Sequence, residues 1–330
     1  MTPKIAVVVP TYARAEELPE CLRGLSRQHR APDDVLVVLR AGDEATKSVV
    51  DAWKHALPVR AVPVAAPGLV QALNAGLEAT DADIVAFTDD DAVPRMGWLA
   101  RIESVLREPG VAAVGGRDVI WQAGSVFDGR TEVFAARLRH GDRRERVVGR
   151  VQRFGRITGN HHAGHGPARD VDILKGVNMA YRRRLVADYG FDSRVRGTGS
   201  QVHNEPSVCL PLRAAGWRII YDPEVTVDHY PASRPDADDR DMRDAARVYD
   251  SAFNETLSLW PYLGRRWRPA YLAWTIAVGT IRTPGLVQLP RHARRGDRRP
   301  WHMLLAAMRA RRDAVLLLRR SPPRPTPPSP

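Results

Sequence analysis

Four short apolar runs alternate with segments of helical spacing in the first 90 residues. The runs cover residues 5–9, 35–39, 59–64 and 84–88, and the segments between them cover residues 16–28, 44–55 and 69–79. Continuous apolar, β-branched runs are typical of strands buried on both faces, as in a parallel sheet. The alternation therefore predicts an α/β fold with a mainly parallel sheet flanked by helices.

Polar residues follow the predicted strands at the edge where sheets of this kind bind ligands. Thr11, Arg40 and Asp89 come directly after the first, second and fourth apolar runs. Three consecutive aspartates, Asp89, Asp90 and Asp91, offer the oxygen ligands that Mg²⁺ or Mn²⁺ prefers. A cation between these carboxylates and a diphosphate would remove the repulsion between like charges. A solvated acidic turn is the alternative. No GxGxxG sequence follows the first run, so a dinucleotide-binding fingerprint is missing.

Positive charge is concentrated in the C-terminal part of the chain. The formal net charge is +12 at pH 7, and residues 261–330 contain 15 arginines and two acids. This part therefore carries about +13, and the remainder is close to neutral. The charge predicts a basic helical extension over residues 236–320 that lies on an anionic membrane surface, with Trp267, Trp274 and Trp301 at headgroup level. Helices that pack on the domain are the alternative.

Two shorter segments of the C-terminal part are predicted neither to span a membrane nor to form regular secondary structure. The apolar stretch at residues 271–278 is interrupted by Arg282 and Pro284 long before it could span a bilayer. The proline-rich residues 321–330 cannot form helix or strand, and we expect them to be disordered.

The number of cysteines indicates the redox compartment of the protein. Only Cys21 and Cys209 are present, which argues against a disulfide framework and fits a reducing compartment. The chain begins without a secretory pattern, so we expect a cytoplasmic protein, peripheral on the inner face of the cell membrane.

Three histidines, His161, His162 and His165, lie in a glycine-rich segment. No fourth zinc ligand accompanies them at a recognisable spacing, so a loop over an acceptor is favoured.

Five motifs occur along the chain in a fixed order. They are VVVPTY at 7–12, ALNAG at 72–76, FTDDD at 87–91, KGVNMAYRR at 175–183, and NE at 204–205 ahead of LRAAGW at 212–217. Together they resemble the family 2 inverting glycosyltransferases, which have the GT-A fold with a Rossmann-like nucleotide-binding sheet. The resemblance covers about residues 4–232. It implies a glycosyltransferase domain over residues 1–235, with a nucleotide-sugar half at about 1–115 and an acceptor half at about 116–235.

The resemblance also implies roles for individual residues. The nucleotide-sugar site would consist of Pro10, Thr11, Tyr12, Arg14, Arg40, Asp43, Asn74, Asp89 and Asp90. Asp89, Asp91 and His229 would hold Mn²⁺ or Mg²⁺, which acts as a Lewis acid on the leaving diphosphate. A histidine that only closes its strand is the alternative for His229. The acceptor or diphosphate side would contain Lys175, Gly176, Asn178 and Arg183.

An inverting transfer also needs a base that takes the proton of the acceptor hydroxyl. Where the family usually has an aspartate, this chain has Glu205, and the following Pro206 fits the first turn of a helix. Glu205 is therefore the predicted base, with Asp192 as the second candidate. The alternative for Glu205 is an acid that only interacts favourably with the helix dipole.

The chain departs from the family pattern at two places. The acidic pair that many relatives carry after the second strand is replaced by Arg40, and Asp43 is the substitute nearby. The arginine often found ahead of the central asparagine is also missing at Asn74. The positive charge would then come from Arg14 or Arg40.

These features predict a metal-dependent transferase that moves a sugar from a UDP-, GDP- or dTDP-sugar to a hydroxyl of a glycan or glycolipid acceptor. A nucleotidyltransferase is a second hypothesis, although the glycine-rich phosphate loop that such enzymes carry after the first strand is missing. The third hypothesis is a nucleic-acid-binding protein that uses the arginine-rich tail. The leading hypothesis expects no nucleic-acid partner.

Overall fold

The computed structural model describes residues 2–122, 125–126, 147–232, 244–294, 300–321 and 324–330. The strands are β1 (Ile5–Pro10), β2 (Asp34–Arg40), β3 (Val59–Val64), β4 (Ile84–Phe87), β5 (Ala92–Pro94), β6 (Val111–Gln122), β7 (Ser125–Val126), β8 (Arg150–Val151), β9 (Ile157–Thr158), β10 (Arg169–Asp170), β11 (Met179–Arg182) and β12 (Arg218–His229). The helices are α1 (Leu18–Ser26), α2 (Glu44–Trp53), α3 (Leu69–Glu78), α4 (Trp98–Arg107), α5 (Pro206–Ala214), α6 (Ala245–Leu259), α7 (Arg268–Ala277), α8 (Leu289–Arg294) and α9 (Pro300–Arg320).

The main sheet has the strand order β10-β12-β6-β11-β4-β1-β2-β3. The strands β3, β2, β1 and β4 are parallel, as the apolar runs predict. β11 is antiparallel both to β4 and to β6, so β6 and its parallel neighbour β12 run in the same direction as β4. The carboxyl ends of β1, β2, β4, β6 and β12 therefore all meet at one edge, where the segment before β11 also lies.

Helices cover both faces of this sheet. On one face, Val7 and Val37 pack in the same hydrophobic core as Leu22 of α1 and Leu99 of α4. On the other face, the core contains residues of α3, α5, α6 and α9 together with Val8 and Leu36. The alternation along β1 explains the two layers, because successive side chains of a strand point to opposite faces.

The C-terminal helices are part of this second layer. Phe253 of α6 and Met303, Ala307 and Ala310 of α9 are buried in the same core as the sheet. The predicted boundary at residue 235 lies outside the described residues. The predicted division at residue 115 lies inside β6, so the two halves share a continuous strand. None of the described helices is long and apolar enough to cross a bilayer.

Residues 324–330 lie on the domain, which differs from the expected disorder. The guanidinium of Arg324 donates to the carbonyls of Ser207 (3.0 Å), Gly190 (2.7 Å) and Tyr189, and it stacks over the Tyr189 ring. Further along, the Trp217 indole donates to the Pro328 carbonyl at 2.7 Å. Prolines bring no N–H group that needs a partner. Side-chain anchors can therefore hold this segment without helix or strand.

The contact between β6 and β12 depends on a glycine. The register of the pair shifts between Asp222 and Thr226, and this irregularity brings the β12 backbone close to Gly116. A Cβ atom at Gly116 would lie only 1.8 Å from the Val225 carbonyl oxygen. No rotation of a side chain can relieve a contact with backbone.

We expect Gly116→Ala to lower the free energy of unfolding by about 3 kcal/mol or more, because the two strands must separate. Gly97→Ala is the matched control, since nothing lies within 4 Å of its added Cβ, and its cost should stay below about 1 kcal/mol. Urea denaturation of both variants measures the difference. Equal stability of the two variants would contradict the close strand contact.

Candidate active site

A cleft of about 330 Å³ opens at the carboxyl edge of the sheet. Its walls come from the ends of β1, β2, β3, β4 and β12 and from the segment before α5. The lining residues are Pro10, Thr11, Tyr12, Arg14, Arg40, Val64, Ala66, Pro67, Gly68, Leu69, Ala72, Asp89, Asp90, Asp91, Thr198, Gly199, Ser200 and His229. The structure thus brings together nearly all of the predicted donor-site and metal-site residues.

A cluster of two carboxylates and one imidazole lies in this cleft. Ligand atoms of Asp89, Asp91 and His229 lie within 4.8 Å of one another. Asp91 Oδ2 accepts from the Ala232 amide at 3.0 Å, and Asp91 Oδ1 lies 3.3 Å from His229 Nε2. These contacts fix the Asp91 carboxylate between the carboxyl end of β4 and the carboxyl end of β12.

Arg14 balances the charge of the neighbouring aspartates. Its guanidinium donates to Asp90 Oδ1 at 2.8 Å and to Asp91 Oδ2 at 3.2 Å. Burial nevertheless raises the pKa of Asp90 to about 6, with Arg14 opposing the shift and Asp91 adding to it. Asp90 is 3% exposed. Its contact with Arg14 therefore serves to hold the loop, while Asp89 and Asp91 face His229.

A fourth aspartate, Asp118, lies behind His229. Its carboxylate is fully buried on β6, forms an ion pair with Lys175, and lies 3.9 Å from His229 Nδ1. Burial alone would raise the pKa of Asp118, but Lys175 and His229 lower it to about 2. Burial likewise opposes protonation of His229, but Asp118 and Asp91 raise its pKa to about 9. An acid behind an imidazole ligand orients the ring, as is common around metal ions.

The donor set fits a divalent cation. Two carboxylates and one imidazole suit Mn²⁺, and the carboxylates also suit Mg²⁺. Within the described segments, buried Asp91 Oδ1 makes no hydrogen bond of standard geometry and lies 3.3 Å from His229 Nε2. An ion between Asp91 and His229 would satisfy such a buried acceptor. Three protein ligands also leave coordination positions open for oxygen atoms of a substrate.

Glu205 lies just before α5, next to the segment that precedes β11. The Gly176 amide donates to Glu205 Oε1 at 3.1 Å. Burial raises the pKa of the Glu205 carboxyl above its ordinary value, and the hydrogen bonds that it accepts only partly oppose the shift. Gln201 and His203, shortly before Glu205, have φ angles of 41° and 68°. Such left-handed backbone at non-glycine residues is strained and is typical of functional loops.

Asp192, the second candidate for the base, is held by cations. Arg194 donates to both of its oxygens at 2.9 and 2.8 Å, and Arg324 lies 3.7 Å away. Burial opposes ionisation, but these arginines lower the pKa of Asp192 below its ordinary value. A carboxylate stabilised in this way is a poor proton acceptor, so the geometry favours Glu205.

Seven predicted site residues do not line the cleft: Asp43, Asn74, Lys175, Gly176, Asn178, Arg183 and Glu205. Four of them have structural contacts instead. Asn74 exchanges two hydrogen bonds with the backbone of Phe191, and Asp43 caps α2 through the Thr46 amide. Asn178 is 1% exposed; it accepts from the Trp98 indole and donates to the Val225 carbonyl.

The fourth of these residues, Arg183, follows β11. Because β11 is antiparallel to β4, Arg183 lies at the opposite edge of the sheet. Its guanidinium donates to the Leu77 carbonyl at 3.3 Å.

Several residues of the site were missed from the sequence. Asp118 is the one acid in the mainly apolar β6, which also contains Arg117 and Gln122, and this contrast is a detectable signal. The loop of Thr198, Gly199 and Ser200 lines the cleft because the Gly199 carbonyl accepts from the Leu69 amide at 3.1 Å. No sequence pattern marks that long-range contact.

The three histidines considered for zinc do not form a metal site in the described chain. His161 is buried, and its Nε2 contacts the Ile173 carbonyl at 3.1 Å. Burial lowers the pKa of His161 to about 4. Within the described segments, the group with metal-ligand spacing consists of Asp89, Asp91 and His229 instead.

Comparison with known proteins assigns the fold and the family. Residues 3–247 match the family described as Glycosyltransferase like family 2, and the chain belongs to this family. The structure of mannosyltransferase PcManGT from Pyrobaculum calidifontis in complex with GDP-Man and Mn²⁺ has a TM-score of 0.54 and 22% identity, and the match covers 96% of this chain and 87% of that one. The GT-A fold predicted from the sequence is thereby confirmed.

Two curated relatives come from Haloferax volcanii. Glycosyltransferase AglE is 30% identical over 118 residues, which correspond to 34% of this chain and 39% of AglE. Glucosyl-dolichyl phosphate glucuronosyltransferase is 25% identical over 237 residues, or 68% of this chain and 69% of the relative. This chain therefore spans about two fifths of the length of AglE.

We expect Asp91→Ala to remove Mn²⁺ binding, because the carboxylate that faces His229 is lost. Titration calorimetry with MnCl₂ measures the affinity, and Asp51→Ala, an exposed carboxylate on α2, is the control. Asp91→Asn keeps an acceptor for the Ala232 amide but loses the charge, so a folded Asn variant should also bind Mn²⁺ at least tenfold more weakly. Unchanged affinity in both variants would overturn the metal assignment.

Proposed function

We propose that this protein is a metal-dependent inverting glycosyltransferase that transfers a sugar from a nucleotide-sugar donor to a hydroxyl group of a glycan or glycolipid. The observation that carries this proposal is the convergence of Asp89, Asp91 and His229 in a cleft at the carboxyl edge of the sheet. Membership of the family supports the same conclusion. The nucleic-acid-binding hypothesis does not account for this arrangement, and the family favours a glycosyltransferase over a nucleotidyltransferase.

The donor would bind with its base against the strand ends and its diphosphate towards the acidic cluster. Pro10, Thr11, Tyr12 and Arg40 line the part of the cleft at β1 and β2, where the base and ribose would lie. Arg14 already contacts Asp90 and Asp91, so it lies beside the negative charge of the diphosphate. The donor would be a UDP-, GDP- or dTDP-sugar.

Asp89, Asp91 and His229 would hold Mn²⁺ or Mg²⁺. When bound, the ion neutralises the charge that grows on the leaving diphosphate. The structural neighbour PcManGT was solved with GDP-Man and Mn²⁺, which favours Mn²⁺ as the first ion to test. Asp118 and Lys175 would orient His229 from behind and keep the cluster close to electrical balance.

Glu205 would act as the general base. The acceptor oxygen forms a bond to the anomeric carbon while the bond from that carbon to the diphosphate breaks, and the hydroxyl proton passes to a carboxylate oxygen of Glu205. The Gly176 amide holds Oε1, and the other oxygen would take the proton. A pKa raised by burial makes the carboxylate a better base near neutral pH.

The acceptor would be a polysaccharide or a lipid-linked glycan at the inner face of the cell membrane. One relative is a glucosyl-dolichyl phosphate glucuronosyltransferase, whose name describes a lipid-linked substrate. The arginine-rich C-terminal helices provide the positive charge that favours an anionic membrane surface.

We expect Glu205→Gln to lower kcat by about 10² or more and to leave donor affinity unchanged, because only the proton acceptor is lost. The pKa of Glu205 is raised, so the wild-type kcat/KM should rise with pH as this group deprotonates, at a pH above the ordinary glutamate range. The residual activity of Glu205→Gln should lack that rise. Glu78→Gln, an exposed acid on α3, is the control. A near-normal rate would move the base to another residue.

The experiment that tests the proposed function is calorimetric titration with UDP-, GDP- and dTDP-sugars, first with Mn²⁺ and then with EDTA. We expect one nucleotide to bind in the presence of Mn²⁺ and its affinity to fall at least tenfold in EDTA. Folded protein that binds none of these donors would contradict the proposal.

A further inference from the structure

Exposed apolar side chains are concentrated in the C-terminal part of the protein. Of the 14 large hydrophobic side chains that are exposed among the described residues, ten lie between residues 262 and 316. Val287 and Leu305 are each 63% exposed, and Trp301 is 58% exposed. Single exposed apolar residues are ordinary, but a concentration in one part of a protein marks an interaction site.

These side chains belong to elements that contact one another. Leu272 and Ile276 are four residues apart and share one face of α7. The chain after α7 folds back through the pairing of Gly279 with Pro284, and α8 is tied to it by His292 and the Ile281 carbonyl. α8 in turn contacts α9. We call the set Leu272, Ile276, Ile281, Val287, Trp301 and Leu305 the apolar face.

The inner side of these elements packs against the rest of the domain. Tyr271 of α7 is fully buried, and its hydroxyl lies 2.9 Å from Thr256 of α6. In α9, Met303, Ala307 and Ala310 are buried on the domain. The apolar face is therefore the opposite side of helices that have already packed, and the core of the domain does not explain it.

The charge around the apolar face is mainly positive, and the acids of this part of the sequence are Asp297 and Asp313. Residues 261–294 and 300–312 contain no aspartate or glutamate. Arg265, Arg266, Arg282 and Arg294 are exposed on these elements. A second copy of this chain would bring arginines against arginines, and a nucleic acid would leave exposed Trp301, Val287 and Leu305 without an apolar environment. An anionic bilayer interface satisfies both the apolar side chains and the arginines.

We propose that the apolar face docks in the plane of an anionic lipid bilayer, with its apolar side chains at the acyl boundary and the surrounding arginines among the headgroups. The protein lies on the membrane by α7, the chain from 279 to 288, and the first turns of α9. No spanning segment is needed for this attachment.

The docked face is connected to the acceptor side of the site. Ser258, near the end of α6, donates to the carbonyl of His203, two residues before Glu205. Arg282 of the docked segment is close enough to lower the pKa of partly buried His203, although burial is the larger cause. Docking would therefore bring Glu205 towards the bilayer, where the hydroxyl of a lipid-linked acceptor lies. This consequence, unlike the docking itself, rests on the proposed function.

The test is sedimentation of the protein with lipid vesicles. One set of vesicles contains phosphatidylcholine alone, and the other also contains about 30% phosphatidylglycerol, which makes the surface anionic. We expect binding to the anionic vesicles that weakens as salt is raised, and little binding to the neutral ones. The double variant Trp301→Ser/Leu305→Ser should lower the partition constant about tenfold or more, since two apolar side chains are lost. Arg282→Gln should lower it about fivefold.

Met96→Ser is the matched control, because Met96 is 55% exposed but lies outside the apolar face. It should bind vesicles like the wild type, and circular dichroism should show all variants folded. Wild-type-like binding by the folded Trp301/Leu305 variant, or equal binding to neutral and anionic vesicles, would overturn the proposal. Vesicle binding is measured without donor or metal. Loss of donor binding with normal vesicle binding would thus contradict the proposed function alone, and the reverse result would contradict the docking face alone.

Discussion

The convergence of four aspartates at one edge of the sheet is the constraint on which the rest of the site depends. Asp89, Asp90, Asp91 and Asp118 lie close together where burial weakens solvent screening, so their repulsion must be balanced locally. Arg14 neutralises Asp90 and Lys175 neutralises Asp118, while His229 lies between Asp91 and Asp118. The remaining negative charge makes the cleft suited to a divalent cation, and with the cation it becomes suited to a diphosphate.

The topology of the sheet makes this convergence possible. β1, β2 and β4 reach the edge as an ordinary parallel series, but His229 and Asp118 come from strands that lie beyond the antiparallel β11. Reversal of β11 places the segment that contains Lys175 and Gly176 at the same edge. Gly116 and the irregular pairing of β12 then let the strands approach closely enough for Asn178 to hold them together. Residues far apart in sequence become one site through strand order alone.

The C-terminal residues complete the domain. α9 is buried against α6 through small and apolar side chains, and the buried pair of Arg311 and Glu255, 3.2 Å apart, lies between these two helices. Arg324 holds the carbonyls next to Asp192 and in the first turn of α5. The C-terminal part thus does two things. Its inner side packs on the domain and holds the loop before Glu205 through Ser258 and the His203 carbonyl, and its outer side is left with arginines and apolar residues.

The sequence by itself determined the α/β alternation, the family and the acidic cluster, because apolar periodicity and strand-end motifs are local. Thr11, Arg40 and Asp89 could be placed at one edge, since the carboxyl ends of parallel strands meet there. Only the tertiary structure decided that Asn74 and Asn178 bind backbone, that Asp192 is held by arginines, and that Arg324 anchors the tail. Those outcomes depend on which partner each buried polar group finds. For Asn74 and Arg324 the backbone partners lie 117 residues or more away in the sequence, and burial makes each such partner obligatory. A local pattern carries no information about such partners.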